Sequence, residues 1–482
     1  MIDFRPIFLV LGLLLCTLGV GMLLPALVDA ASGNPDWRVF LASATASLFI
    51  GIALILTNRS GSSEINVRQA FLLTTLSWVV TAAFGALPFM FSDLGLTYTD
   101  AFFESMSGVT TTGSTVIVGL DNAPPGILLW RSLLQWMGGI GIIVMAVAVL
   151  PMLQVGGMQL FRMESSDTSE KILPRAAQFA GAIGFLYLGL TLACATALWI
   201  AGMSPFQGLA HAMTTIATGG FSTSDQSIGH FDSAAIDYII ILFMIVGSLP
   251  FVLYLQALRG QHRPLLQDSQ VRWFMVIAFG SVIGMALWRW HGGDETFADA
   301  FRYTSFNVVS IMTGTGYSTA DYNQWGGIAI PAFFFLMFVG GCAGSTSCGV
   351  KIFRLQVLYA AINVQMHRLL QPHGVFVPRY NRKPIPDPVI SSVMSFFFLF
   401  AVCYAGLALG LGALGLDFIT ATSGAGTVIA NVGPALGDVI GPSGTFADLP
   451  ASAKWLLSFG MLLGRLELFT VLVLFSPGFW RG

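Results

Sequence analysis

Thr110-Thr111-Thr112-Gly113 sits between two apolar stretches, and three more polar cores occupy the same setting: Ala217-Thr218-Gly219-Gly220, Thr313-Gly314-Thr315-Gly316 and Ala430-Asn431-Val432-Gly433. Their last glycines are 107, 96 and 117 residues apart. Short amphiphilic segments precede them, at 99–110, 205–217, 298–312 and 418–430. None reaches the roughly 20 helical residues that crossing hydrocarbon takes. Non-helical backbone at membrane depth is tolerated only where protein buries it or it lines a watery cavity. Four such loops therefore predict one shared polar centre. Any one loop, taken alone, also fits an ordinary Gly/Thr-rich interruption at a helix-packing surface; the coincidence of four in one context argues against that.

Aligning the last glycines brings Met106, Met213 and Val309 into register. Ser107, Thr214, Ser310 and Thr427 coincide, as do Val109, Ile216, Met312 and Ile429. The fourth copy is the most divergent, with Asn431-Val432 in place of Thr/Gly-type residues.

Composition agrees with a membrane setting. The 482 residues are 55% hydrophobic and 10% charged, with a mean hydropathy of +0.77; soluble domains carry about a quarter charged residues. Ten candidate spans cover 6–28, 39–57, 67–91, 127–151, 176–202, 234–255, 271–290, 326–353, 389–412 and 453–477. With residue 1 inside, one set of gaps carries Arg59, Arg162, Lys171, Arg175, Arg259, Arg263, Arg368, Arg379, Arg382 and Lys383. The other carries Arg302, Arg38 at its border, and acids including Asp93, Asp121, Asp225, Asp294 and Asp438. That asymmetry predicts both termini in the cytoplasm. The first apolar run is too long for a typical signal peptide and a second span follows at once, so it reads as a membrane helix. Cys16, Cys194, Cys342, Cys348 and Cys403 form no disulfide or metal-ligand pattern.

The expected fold is an all-α polytopic membrane protein, with four repeated helix–pore-loop–helix units around a central pore and two extra N-terminal helices. The expected boundaries are 1–62 for the two-helix segment and 63–160, 172–260, 268–360 and 386–480 for the units.

Such loops suit one chemistry. A selective cation pore replaces the ion's hydration shell with rings of backbone carbonyls, and glycine reaches the left-handed conformations that let successive carbonyls face inward. One layer would comprise Gly113, Gly220, Gly316 and Gly433. Beneath it would lie Thr112, Gly219, Thr315 and Val432, then Thr111, Thr218, Gly314 and Asn431. The preceding half-helices would turn their C-terminal ends, favourable to cations, toward the centre. A run of small residues, Gly340-Gly341-Cys342-Ala343-Gly344-Ser345-Thr346-Ser347-Cys348-Gly349, interrupts the span after the third loop. Easily unwound, it reads as a gate below the filter or as a tight packing surface. Arg465 and Glu467 lie inside the last span and, two residues apart, face different partners. Arg465 reads either as a positive charge impeding cations below the filter or as half of a structural salt bridge.

Residues 103–113, Leu134-Gln135-Trp136-Met137-Gly138-Gly139-Ile140-Gly141, Ala217–Ser222, Met312–Thr319, Asn431-Val432-Gly433-Pro434 and Gly464-Arg465-Leu466-Glu467 together resemble the Trk/Ktr/HKT superfamily of potassium transporters, most like its bacterial TrkH/TrkG branch. The resemblance spans essentially the whole chain. It implies K⁺ uptake across the bacterial inner membrane, with K⁺ held at Thr111, Thr112, Thr218, Gly219, Gly314, Thr315, Asn431 and Val432. It implies a gate built from Gly340, Gly341, Gly344, Ser345, Thr346, Gly349 and Arg465. It also implies a homodimer, and a cytosolic TrkA-like ring that binds ATP, ADP or NAD. No cofactor is expected in this chain, since Gly138-Gly139-Ile140-Gly141 lacks the strand–turn–helix setting of a dinucleotide site. No nucleic-acid partner is expected either. A symporter coupling K⁺ to H⁺ or Na⁺ is the competing reading, with Glu467, Glu104 and His211 as the titratable groups in or near the path. The six scattered histidines assemble no catalytic cluster, which argues against an enzyme.

Overall fold

The computed structural model describes residues 2–59, 65–148, 176–292, 295–381 and 383–481. Arg162, Lys171, Arg175, Arg382 and Asp294, and the expected boundaries at 62–63, 160 and 172, lie outside them. The described chain is mostly helical; its one sheet is a two-stranded hairpin pairing Arg379–Tyr380 with Lys383–Pro384.

Two long helices, Arg5–Ser32 and Trp37–Asn58, form an N-terminal hairpin. They cross closely because Gly12 and Gly51 face each other: a β-carbon on Gly12 would lie 2.7 Å from the Gly51 carbonyl oxygen. Four units follow, each an outer helix, a half-length pore helix, a loop and an inner helix. The outer helices are Val67–Gly85 with Leu87–Phe91, then Ala176–Ile200, Ser269–His291 and Asp387–Ala413. The pore helices are Tyr98–Val109, Pro205–Ile216, Phe297–Thr313 and Phe418–Ala430. Each begins or ends within a few residues of the expected segment.

Three expected spans are not single helices. The inner helix of the second unit runs Ala234–Ser248 and resumes as Phe251–Leu258 after a 95° bend. Pro250 is the cause: it has no N–H to donate and restricts the residue before it. The inner helix of the fourth unit, Ala451–Arg465, bends by 111° into Phe469–Phe475, with Glu467 and Leu468 at φ of 66° and 51°. In the third unit the inner helix stops at Leu336 and restarts at Ile352. The unwound stretch contains the small-residue run, as its composition suggested. Among the described residues seven helices are long and apolar enough to cross a membrane, or nine if each bent pair counts as one.

The fourth unit closes against the first. Lys454 donates to Asp100 at 2.5 Å, and the Phe446 amide donates to the Thr115 carbonyl at 2.9 Å. The hairpin is attached to the same core through buried Asp29, whose carboxylate accepts the Gly126 amide at 2.6 Å.

Candidate functional site

The four pore helices share one design at both ends. Each starts on a side chain that caps the amide three residues on: Thr97 to Asp100, Ser204 to Gln207, Thr296 to Asp299 and Asp417 to Thr420. Each ends in a Schellman motif. The amides of Thr112, Gly219, Thr315 and Val432 donate five residues back, to the carbonyls of Ser107, Thr214, Ser310 and Thr427, at 2.8–3.1 Å. Thr111, Thr218, Gly314 and Asn431 take the left-handed position, with φ of 50°, 50°, 75° and 53°. Two residues further, Gly113, Gly220, Gly316 and Gly433 are left-handed again, at 92°, 78°, 83° and 101°. The residue between is not left-handed in any copy.

The glycines abut one another's loops in cyclic order. A β-carbon on Gly113 would lie 2.3 Å from the Gly219 carbonyl oxygen, and on Gly220 1.9 Å from that of Thr315. On Gly316 it would lie 1.9 Å from the Val432 oxygen, and on Gly433 2.9 Å from that of Thr112. The four loops thus form one closed ring, first to second to third to fourth to first. All twelve residues expected to line the filter are brought together. They are buried apart from the half-buried Gly113, Gly220 and Gly316.

Their carbonyls are not equivalent. Gly219 already accepts the Gln135 side-chain amide at 2.5 Å, while those of Thr111, Thr112, Thr218, Gly314, Thr315, Asn431 and Val432 accept no hydrogen bond from a described residue. Buried carbonyls without a donor are ready ligands for a cation. The threonine hydroxyls are engaged sideways: Thr112 with Thr110 at 2.7 Å and Thr315 with Thr313 at 2.8 Å. Asn431 donates to the Thr112 hydroxyl and to the Met461 carbonyl, each at 2.9 Å, so its side chain fastens the fourth loop to the first.

A second set of residues takes its role only in three dimensions. Nine residues before the ring glycines stand Glu104, His211 and Asn307, and each staples its own outgoing strand. Glu104 accepts from the Thr115 hydroxyl and the Val116 amide, His211 meets Ser222, and Asn307 meets Thr319. In the fourth unit the neighbouring Ser423 takes this part, accepting from the Leu436 amide. The sequence signal was a polar residue recurring nine positions before the first three ring glycines.

The small-residue run lies directly beneath the ring. The Thr346 hydroxyl bonds the carbonyls of Ile216 and Gly247 and accepts from Thr218 at 3.2 Å. Ser347 donates to the Thr313 carbonyl at 2.6 Å. The break at Pro250 serves this segment: the amides of Cys342 and Thr346 donate to the carbonyls of Ser248 and Gly247, and the Phe251 amide donates to Gly344. Its neck is pinched where Gly340 meets Cys348 and Gly349, the Gly340 amide donating to the Val350 carbonyl at 2.9 Å. Gly341 accommodates Ser347, whose hydroxyl accepts its amide, and the Ser345 hydroxyl donates to the Cys342 carbonyl. Gly344 and Gly349 are left-handed, at φ of 75° and 73°.

Arg465, 2% exposed, crosses under this segment. It donates to the carbonyls of Thr346 and Gly138 at 3.2 and 3.1 Å and contacts the Cys348 sulfur. No carboxylate pairs with it among the described residues. Glu467 instead pairs with Arg354 on the helix that follows the segment. The two residues do face different partners, as their spacing required.

The arrangement agrees with the comparisons. A family model described as TrkH, cation transport protein, matches residues 37–481. The chain is 48% identical over 478 residues to the Trk system potassium uptake protein TrkI of Halomonas elongata, covering 99% of this chain and 97% of that one. It is 39% identical to the Trk system potassium uptake protein TrkH of Escherichia coli, covering 99% and 100%. The crystal structure of the potassium transporter TrkH from Vibrio parahaemolyticus superposes with a TM-score of 0.92 at 38% identity, over 100% of both chains.

Proposed function

The chain belongs to the TrkH family of cation transport proteins, and from that membership we propose that it takes up K⁺ across the bacterial inner membrane through the four-loop ring. The observation that carries this reading is the cyclic contact of each ring glycine with the neighbouring loop's carbonyl. A dehydrated cation would be held by the carbonyls of Thr111, Thr112, Thr218, Gly314, Thr315, Asn431 and Val432, with Gly219 contributing once Gln135 yields. The C-terminal ends of four pore helices add negative potential where the charge sits.

The segment from Gly340 to Gly349 acts as the gate, and Arg465 holds it shut. Its support is that Thr346 hydrogen-bonds to Thr218 at the ring's base while its carbonyl receives Arg465. A positive charge under the ring opposes a cation, and freeing Arg465 from Thr346 would let the segment move. The Arg354–Glu467 pair links the cytoplasm-bound helix Ile352–Leu370 to the bend beside Arg465, a route for control from inside. A homodimer, a TrkA-like cytosolic ring carrying ATP, ADP or NAD, units bounded at 63–160, 172–260, 268–360 and 386–480, and both termini inside complete the proposal. The protein acts as a transporter without catalysis.

The test is cation flux in liposomes, comparing K⁺, Rb⁺, Na⁺ and Li⁺ for the intact chain and for Gly316→Ser. K⁺ and Rb⁺ flux well above Na⁺, with discrimination reduced by the substitution, is expected. Absence of flux even with the ring partner and nucleotides added would return the loops to a packing role. Imposing a pH or Na⁺ gradient alone separates coupled from uncoupled K⁺ movement.

A further inference from the structure

The four loops are alike, but the helices bracing them are not. The inner helices of three units align through one contact. A β-carbon on Gly138, Gly247 or Gly464 would lie 1.9, 3.0 or 2.3 Å from the carbonyl oxygen of Val109, Ile216 or Ile429, the same position near the end of each pore helix. Seven residues before those glycines stand Arg131, Ile240 and Leu457; three before stand Gln135, Met244 and Met461. All six are buried, and only the first unit's pair is polar.

Arg131 and Gln135 are one helical turn apart and share a face. Gln135 grips the second loop, donating to the Gly219 carbonyl at 2.5 Å and accepting the Phe221 amide at 3.0 Å. Arg131 donates to the Ser222 carbonyl at 2.7 Å, and its guanidinium lies 4.1 Å from the Phe221 ring centre. On its other side it meets Glu104 at 2.8 Å and the Thr115 hydroxyl at 3.2 Å. One guanidinium therefore joins the outgoing strand of the first loop to that of the second. Its side chain is 1% exposed, and that of Glu104 is fully buried.

A buried ion pair seldom stabilises a protein more than well-packed apolar groups of the same volume. Two sister units use apolar residues at the position of Arg131, so stability does not explain the charge; geometry does. A carbonyl ring that contracts slightly will coordinate a cation smaller than K⁺, and a rigid link between adjacent loops opposes contraction. We propose that Arg131, clamped by Glu104, is a positioning residue for cation discrimination that fixes the separation of the first and second loops and so excludes Na⁺. This rests on the reading of the ring as a K⁺ filter.

The experiment uses the full chain in liposomes, with K⁺ and Na⁺ flux and thermal stability measured on the same preparations. Glu104→Asn/Arg131→Leu installs the side chains found at the equivalent places of other units, Asn307 and Leu457. Arg131→Lys keeps the charge but loses the planar fork that reaches Ser222, Thr115 and Glu104 together. K⁺ flux should persist in both. The Na⁺:K⁺ flux ratio should rise about tenfold in the double variant, corresponding to roughly 1.4 kcal/mol of lost discrimination, and less in Arg131→Lys. As a comparison for a purely structural role, Leu457→Ala should lower stability without moving the ratio. An unchanged ratio in either variant that folds overturns the inference while leaving the filter reading intact. An intact chain that passes Na⁺ as readily as K⁺ overturns both.

Discussion

Thr111 and Thr218 hold φ of 50°, a left-handed conformation that costs an L-residue about 1–2 kcal/mol and is rarer still for a β-branched one. Gly314 and Asn431 occupy the same position with residues that favour it. The strain is retained where the side chain has work below the ring: Thr218 donates to Thr346. The ring glycines face a harder constraint, because a β-carbon there meets backbone rather than a movable side chain. Its severity is graded by distance. Alanine at Gly220 or Gly316, 1.9 Å from a neighbouring carbonyl oxygen, should abolish selective K⁺ flux; at Gly433, where the gap is 2.9 Å, the loss should be smaller. Flux of the four alanine variants, compared at equal protein, checks the order, and a Gly433→Ala more damaging than Gly220→Ala would contradict it. Thr346→Val removes the hydroxyl that joins the gate segment to Ile216, Gly247 and Thr218. Basal K⁺ leak without any cytosolic partner should rise severalfold, and leak equal to that of the unaltered chain would speak against this closure.

At the level of elements, the pore helices are too short to be stable alone in water and rely on their ends. Asp417 caps the fourth, accepting the Thr420 amide at 3.1 Å, and Asp417→Ala should cost about 1 kcal/mol, read as a lower unfolding temperature in detergent. Hydrogen bonds from the Thr420 side chain and backbone hold the Asp417 carboxyl below the usual aspartate range. A depressed folded-state value means the stabilisation is complete above the unfolded value, near pH 4, and is lost as pH falls through the folded one. Unfolding temperature should therefore decline below about pH 4 more steeply in the intact chain than in Asp417→Asn; parallel declines would remove the cap from the explanation. Pore-helix limits were legible because each helix is amphiphilic and bounded by a capping residue and a glycine-bearing core. The bends in the second and fourth inner helices were not read. Pro250 was a visible signal that a continuous apolar run obscured, whereas the bend at Glu467 and Leu468 has no local breaker and is accompanied by the Arg354 ion pair.

Across the whole molecule, charge sets orientation while packing sets closure. In the proposed orientation the basic loop after Ile352–Leu370 lies inside and the acidic segment after the fourth ring glycine outside. A cysteine introduced at His373 should react with a membrane-impermeant thiol reagent only from the cytoplasmic side, and one at Asp438 only from the outer side; the opposite pattern would invert the topology.

The sequence by itself determined the membrane solvent, the fourfold repeat, the pore-helix positions, the twelve ring residues and the unwound segment. All of these follow from local composition and recurrence, because hydropathy, turn chemistry and capping act over a few residues. Tertiary structure alone decided the cyclic order of the loops, the engagement of Gly219 by Gln135, and the seating of Arg465 on carbonyls rather than on a carboxylate. It also decided the polar brace of Arg131 with Glu104. Those contacts join residues up to hundreds of positions apart, and near-equivalent units leave no local mark of which neighbour each will meet; only the closed packing of all four around one axis selects it.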